Sequence, residues 1–204
     1  EPFSQGYIQK IINIVVTSII LGMKKYLYIF FIYLSSAYKV FWLNPRNSRK
    51  IIQELNLVLA VKNTSLDGNI SRRIKLYILM SDFTNSWFCS LRGYAATTKE
   101  KHDTFYLAAI MPLLDDLTDS LKIPSIDIIK GLKNNNDSLH PSMPAIRYLY
   151  NKLLNNCSDS FVKLFHEALK VQDKSILQLE NHTLDTAILK QITYEKGGIS
   201  TFLF

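Results

Sequence analysis

Glycine and proline are scarce in this chain of 204 residues, at 7 and 6. That scarcity argues against short strands joined by tight turns and points to helices instead. Cysteine is nearly missing. Cys89 and Cys157 stand far apart, and His102, His140, His166 and His182 show no metal-ligand spacing. A disulfide framework and a Cys/His zinc site are thereby excluded, leaving two buried thiols in a reducing compartment as the expectation. An apolar run of membrane-spanning length is absent too. Ile11 to Met23 is almost wholly apolar, Lys24 and Lys25 interrupt, and Tyr26 to Leu34 is apolar again, whereas a spanning helix needs about 20 such residues. No small-residue cleavage site follows Ile11 to Met23, so a secretory signal is a poor fit. A helix or helical hairpin buried against the rest of the domain is expected here, with a monotopic membrane contact as the alternative. The expected location is cytoplasmic, with membrane association left open.

What the chain does have is 48% hydrophobic and 20% charged residues at a mean hydropathy of +0.04, enough for one sizeable core. The net charge of +7 suits anionic lipid, nucleic acid or a phosphorylated small molecule. Its densest clusters, Arg46 to Lys50 and Arg72-Arg73-Lys75, carry no interleaved aromatics, so nucleic acid is not the expected partner. The chain opens on Glu1 and closes on Thr201-Phe202-Leu203-Phe204. Both ends read as truncations of a single helical domain over 1–204, with helices beyond the C-terminal end missing.

Asn44-Pro45 should break the N-terminal region, and Asn47 or Ser48 should cap a helix through Gln53, Leu55, Leu59 and Lys62, whose apolar positions recur at three and four. The stretch Asn63 to Asn69 reads as a turn. Further helices are expected from about Ile70 to Leu91, from Thr98 to Leu121, from near Pro144 through Leu154, from Ser158 or Asp159 onward, and after Thr183; Gly131 to Ser142 reads as a loop. The architecture is thus expected to be all-α, a bundle of several helices in one domain.

The sharpest feature is Asp115-Asp116-Leu117-Thr118-Asp119 within AAIMPLLDDLTDSLKIP. On a helix, with Asp115 at zero, Asp119 falls at about 40° and Asp116 at about 100°, so three carboxylates share one arc. Like charges so spaced destabilise a helix by roughly 0.2–0.5 kcal/mol per pair. A divalent cation would turn that repulsion into ligation, and an all-oxygen donor set favours Mg2+. Phe105, Ala108, Met111 and Pro112 continue the same face with apolar groups, as a diphosphate head with a hydrocarbon tail would require. The alternative stays open that Pro112 begins a new helix, whose N-terminal dipole stabilises Asp115 and Asp116 without any ligand.

DDxxD at these positions resembles the class I isoprenoid synthase family, which includes prenyl diphosphate synthases, squalene and phytoene synthases and terpene cyclases. The similarity extends to Tyr194-Glu195-Lys196-Gly197-Gly198-Ile199-Ser200-Thr201-Phe202-Leu203-Phe204, which looks like that family's lysine-bearing, diphosphate-binding element. It covers roughly residues 85 to 204. Gly197 stands where the family has Thr, no Arg-Arg pair follows the acidic motif, and no second acidic motif follows Lys196. The resemblance implies a helical bundle around a central apolar cavity. It also implies that Asp115, Asp116 and Asp119 are catalytic ligands of Mg2+, with Lys196, Arg92 and Gln178 binding substrate and Phe105, Ala108 and Met111 lining the wall for the prenyl tail. The implied enzyme ionises a prenyl diphosphate for prenyl transfer or cyclisation, and homodimerisation would fit. A non-catalytic helical protein that binds isoprenoid or lipid, or a degenerate relative, is the competing reading.

Overall fold

The computed structural model describes residues 23–38, 46–180 and 185–203, with side chains in 175–180 and 199–203 excepted, and every regular element among them is helical. In chain order these are α1 (23–38), α2 (Arg46–Ala60), α3 (Gly68–Arg92), α4 (Thr98–Asp115), α5 (Ser125–Lys133), α6 (Met143–Leu154), α7 (Asp159–Glu180) and α8 (Thr186–Leu203). The expected all-α class is what the chain adopts. The apolar run over 11–22, the Asn44-Pro45 break and Thr183 lie outside the described residues.

Local chemistry explains most of the boundaries. Asp67 accepts a hydrogen bond from the Asn69 N–H at 2.6 Å and starts α3, while Gly93 at φ 79° ends it in the left-handed region that favours glycine. Thr97 and Glu100 form a reciprocal capping box at the start of α4, the Glu100 N–H donating to Thr97 Oγ1 at 3.2 Å and the Thr97 N–H donating to Glu100 Oε2 at 2.7 Å. Asp185 starts α8 by accepting from the Ala187 N–H at 3.2 Å. The helix thus begins after Thr183, the residue expected to cap it.

Two boundaries depart from the sequence reading. Pro112 lies inside α4, within the helix expected over Thr98 to Leu121, and does not begin a new one; the departure is where that helix ends. The change comes one turn later, where Asp116–Ser120 forms a π-helical turn that closes with Leu121 N–H donating to Asp116 O at 3.1 Å. Lys122 then takes a left-handed conformation at φ 53° and reverses the chain. The second departure is α5, for which no helix was expected. Its first residue, Ser125, gives both its N–H and its hydroxyl to the carboxylate of Asp173 on α7, at 2.9 and 2.6 Å. A cap supplied from 48 residues away leaves no local signature. At Gly131 inside α5 the packing is close, since a Cβ there would stand 3.1 Å from Met143 Cε and the Met side chain would have to give by a few tenths of an ångström.

Helix α4 is the hub, packed by α2, α3 and α6. It buries Phe105, Leu107, Ala108, Ala109, Ile110, Leu113 and Leu114, so nearly its whole circumference faces protein. Against it come Leu55 from α2, Ile74 and Ile78 from α3, and Ile146 and Leu149 from α6, each at most 1% exposed. Burying each such side chain fully is worth about 1.5–3 kcal/mol. On the other side α7 packs on α5, α8 and the π-helical turn, which carries α8 toward the C-terminal end of α4.

Candidate functional site

The three aspartates at the end of α4 are half-buried, and each has a different partner. Asp116 forms an ion pair with Arg73 from the first turns of α3, and Arg73 Nη2 also donates to the Pro112 carbonyl at 3.4 Å. Asp115 Oδ2 accepts from the Tyr77 hydroxyl at 3.3 Å. Asp119 Oδ2 lies 3.7 Å from Lys196 Nζ on α8, and its other oxygen accepts from the Thr118 hydroxyl at 3.4 Å. Next to Lys196 on α8, Glu195 pairs with Lys174 of α7 at 2.7 Å.

Burial pushes the Asp115 carboxyl up from its ordinary range, and the neighbouring charge of Asp119 pushes it further. Lys196, the Tyr77 hydrogen bond and Arg73 pull it back without cancelling those effects. Tyr77 is raised as well, first by its own burial and then by the charge of Asp115. Arg73 is held more firmly protonated, chiefly by its hydrogen bond to Asp116. The site is therefore a pair of mutually repelling carboxylates, Asp115 and Asp119, with two cations and a phenol around its rim.

Among the described residues, no three His, Cys, Asp or Glu side chains are gathered to hold a metal ion. The pair Asp115 and Asp119 nonetheless suits Mg2+. That ion commonly takes one or two carboxylates and completes its shell with water and substrate phosphate. The like-charge strain on Asp115 is also what a bound cation would relieve. Asp116 could join only by leaving Arg73.

The remaining sequence-predicted residues divide clearly. Lys196 is at the cluster, in the body of α8 rather than near the start of a helix. Arg92 is at the opposite end of α3, exposed, with its guanidinium 3.3 Å from the Tyr94 hydroxyl. Asp115 lies at the far end of α4, a helix of 18 residues and about 27 Å that begins six positions after Arg92. Phe105 and Ala108 belong to the packed core at 2% and 0% exposure, while Met111 is half-buried. Gln178 lies on α7, with its side chain outside the described residues. An open groove of about 490 Å³ meets the cluster at Arg73 and Asp116 and not at Asp115, Asp119 or Lys196; its lining mixes Leu59, Ile70, Leu113 and Leu121 with polar groups such as Asp67, Asn69, Ser120 and His140.

Arg73 and Tyr77 were missed as site residues. Their four-residue spacing places them on one face of α3, but which helix that face meets is a tertiary fact. No protein-family model, curated protein or solved structure matches this chain.

Proposed function

We propose that the C-terminal end of α4 is a magnesium-dependent diphosphate site, and that the chain is a class I isoprenoid synthase-like enzyme ionising a prenyl diphosphate. The observation that carries this reading is the 3.7 Å approach of Lys196 to Asp119. The two segments that resemble the family, far apart along the chain, meet at one point in space. In this reading Asp115 and Asp119 hold the metal, and Asp116 orients Arg73. Lys196 and Arg73 bind the diphosphate oxygens and stabilise the charge that accumulates as the ester bond breaks. A bound Mg2+ would supply Lewis-acid pull on the leaving diphosphate. The groove edged by Leu59, Ile70, Leu113 and Leu121 takes the hydrocarbon tail, in place of the Phe105 and Ala108 wall.

A second reading has its own support. Each aspartate already faces a cation or a phenol, which is what a structural charge network in a non-catalytic isoprenoid- or lipid-binding helical protein would need. Pyrophosphate release from geranyl, farnesyl and geranylgeranyl diphosphate, with and without Mg2+, separates the two. The enzyme reading expects release that requires Mg2+ and falls by at least about 100-fold in Asp115→Asn/Asp119→Asn, a loss typical of removing a transition-state charge stabiliser. Absence of release by a folded wild-type chain with all three substrates would reject it.

A further inference from the structure

Helix α1 presents a surface that the other described helices leave open. Tyr26 to Leu34 is nine consecutive apolar or aromatic residues, more than two turns, so every side of the helix is apolar there. A helix of that kind normally lies inside protein or lipid. Here Tyr26 is 75% exposed, Tyr28 63% and Phe31 64%. The helix touches α3 through Tyr33, whose ring meets Phe83 and Trp87 edge-on at 5.0 and 5.9 Å. Beside that contact, Leu76 and Met80 of α3 are exposed as well. Soluble surfaces rarely carry so continuous an apolar patch without a partner.

Charge indicates which partner. Residues 1–53 contain seven Lys and Arg against the single acid Glu1, so almost all of the net +7 lies in this quarter of the chain. Lys24 and Lys25, both exposed, stand near the start of α1 directly before Tyr26, and on α3 Arg72 and Lys75 are exposed four and one positions before Leu76. Two copies of this chain meeting through α1 would bring like charges together, and the centres of such interfaces are normally depleted of lysine. An anionic lipid surface takes both parts at once, lysines at the headgroups and tyrosine and phenylalanine at the acyl boundary. No helix among the described residues is long and apolar enough to cross a membrane, and the contact proposed for α1 is one that lies in the interface. We propose that α1, with the adjoining Leu76 and Met80, docks on an anionic bilayer surface. This inference is independent of the chemistry proposed for the α4 site.

Cosedimentation of the full chain with phosphatidylcholine vesicles, with and without phosphatidylserine, tests the idea. Binding is expected to need phosphatidylserine and to weaken with salt. Lys24→Ala/Lys25→Ala should reduce it by about 30-fold, at about one kcal/mol for each lysine near the surface. Phe30→Ser/Phe31→Ser should abolish it with the circular dichroism spectrum unchanged, since both side chains are exposed. Equal binding to neutral and anionic vesicles would overturn the charge argument. A wild-type chain that ignores vesicles, but forms a dimer that Phe30→Ser/Phe31→Ser dissociates, would overturn the proposal in favour of self-association.

Discussion

The two ends of the α3–α4 pair use similar residues in different ways. Near Arg92 the arginine itself bonds locally, to Tyr94, and Thr97 and Glu100 cap each other across three positions; long-range bonds there, such as Asn85 to Thr104 and Asn156 to Asp103, involve no arginine. Near Arg73 the arginine's own bonds are long-range, with Arg73 and Tyr77 on α3 meeting Asp116 and Asp115 on α4 across about forty positions. Local bonds form as soon as a turn forms and survive in water. The long-range pairs exist only because Ile74, Ile78 and Leu113 have already closed the helices together, and they are half-buried, where charge interactions are stronger than in solvent. At the second end a basic residue is half-buried against a carboxylate, which is where the proposed function puts the anion, while at the first it is an exposed helix-end arginine.

Exchanging the arginines gives the largest effect that would break this contrast. Arg73→Ala should raise the KM for a prenyl diphosphate by at least about tenfold, the loss expected for one charged hydrogen bond, whereas Arg92→Ala should leave it unchanged in steady-state kinetics. The stability lost in Arg73→Ala should stay under about 1 kcal/mol, because the pair with Asp116 is near one-third exposed. Equal effects from the two arginines would remove the distinction between the ends. At the local end, Thr97→Ala should lower unfolding stability by about 1 kcal/mol in urea titration, with pyrophosphate release unaltered.

The smallest effect concerns pH. Burial and Asp119 raise the folded-state pKa of Asp115, so between its unfolded value and that raised value the folded chain binds more protons than the unfolded one. Stability contributed through this group is present below the unfolded pKa and falls as pH rises through the window. Asp115→Asn should flatten that part of the stability–pH curve and leave the apo chain no less stable at neutral pH, although Mg2+-dependent release is lost. Tyr77→Phe should move the Asp115 titration, followed by carboxyl NMR shifts, to still higher pH, because its hydrogen bond lowers the value. A downward movement would contradict the geometry drawn here.

Much of the fold was legible because helix formation is decided over three or four residues. The break between Leu91 and Thr98 is written in adjacent positions, and so is the recurrence of Leu55 and Leu59. The candidate site was legible in part. Asp115, Asp116, Asp119 and Lys196 were each visible as strings, and that Lys196 meets Asp119 is consistent with their pairing. Arg73 was seen only as part of a basic cluster, and Phe105 and Ala108 were assigned to a wall because they continue the acidic face. In the folded chain α2, α3 and α6 enclose that part of α4, so the same residues became core.

By itself the amino-acid order determined that the chain is helical, where most helices start and stop, and that acids cluster near the end of one of them. Only the tertiary structure decided which cation faces which acid, where Asp173 would start α5, and which apolar helix is covered. Helices α4 and α1 are both rich in large apolar residues, yet one is the hub of the core and the other is open. Hydrophobicity is a property of a side chain, but burial depends on what packs against it. Long-range pairing likewise depends on helices that must first be packed together before their charges can interact.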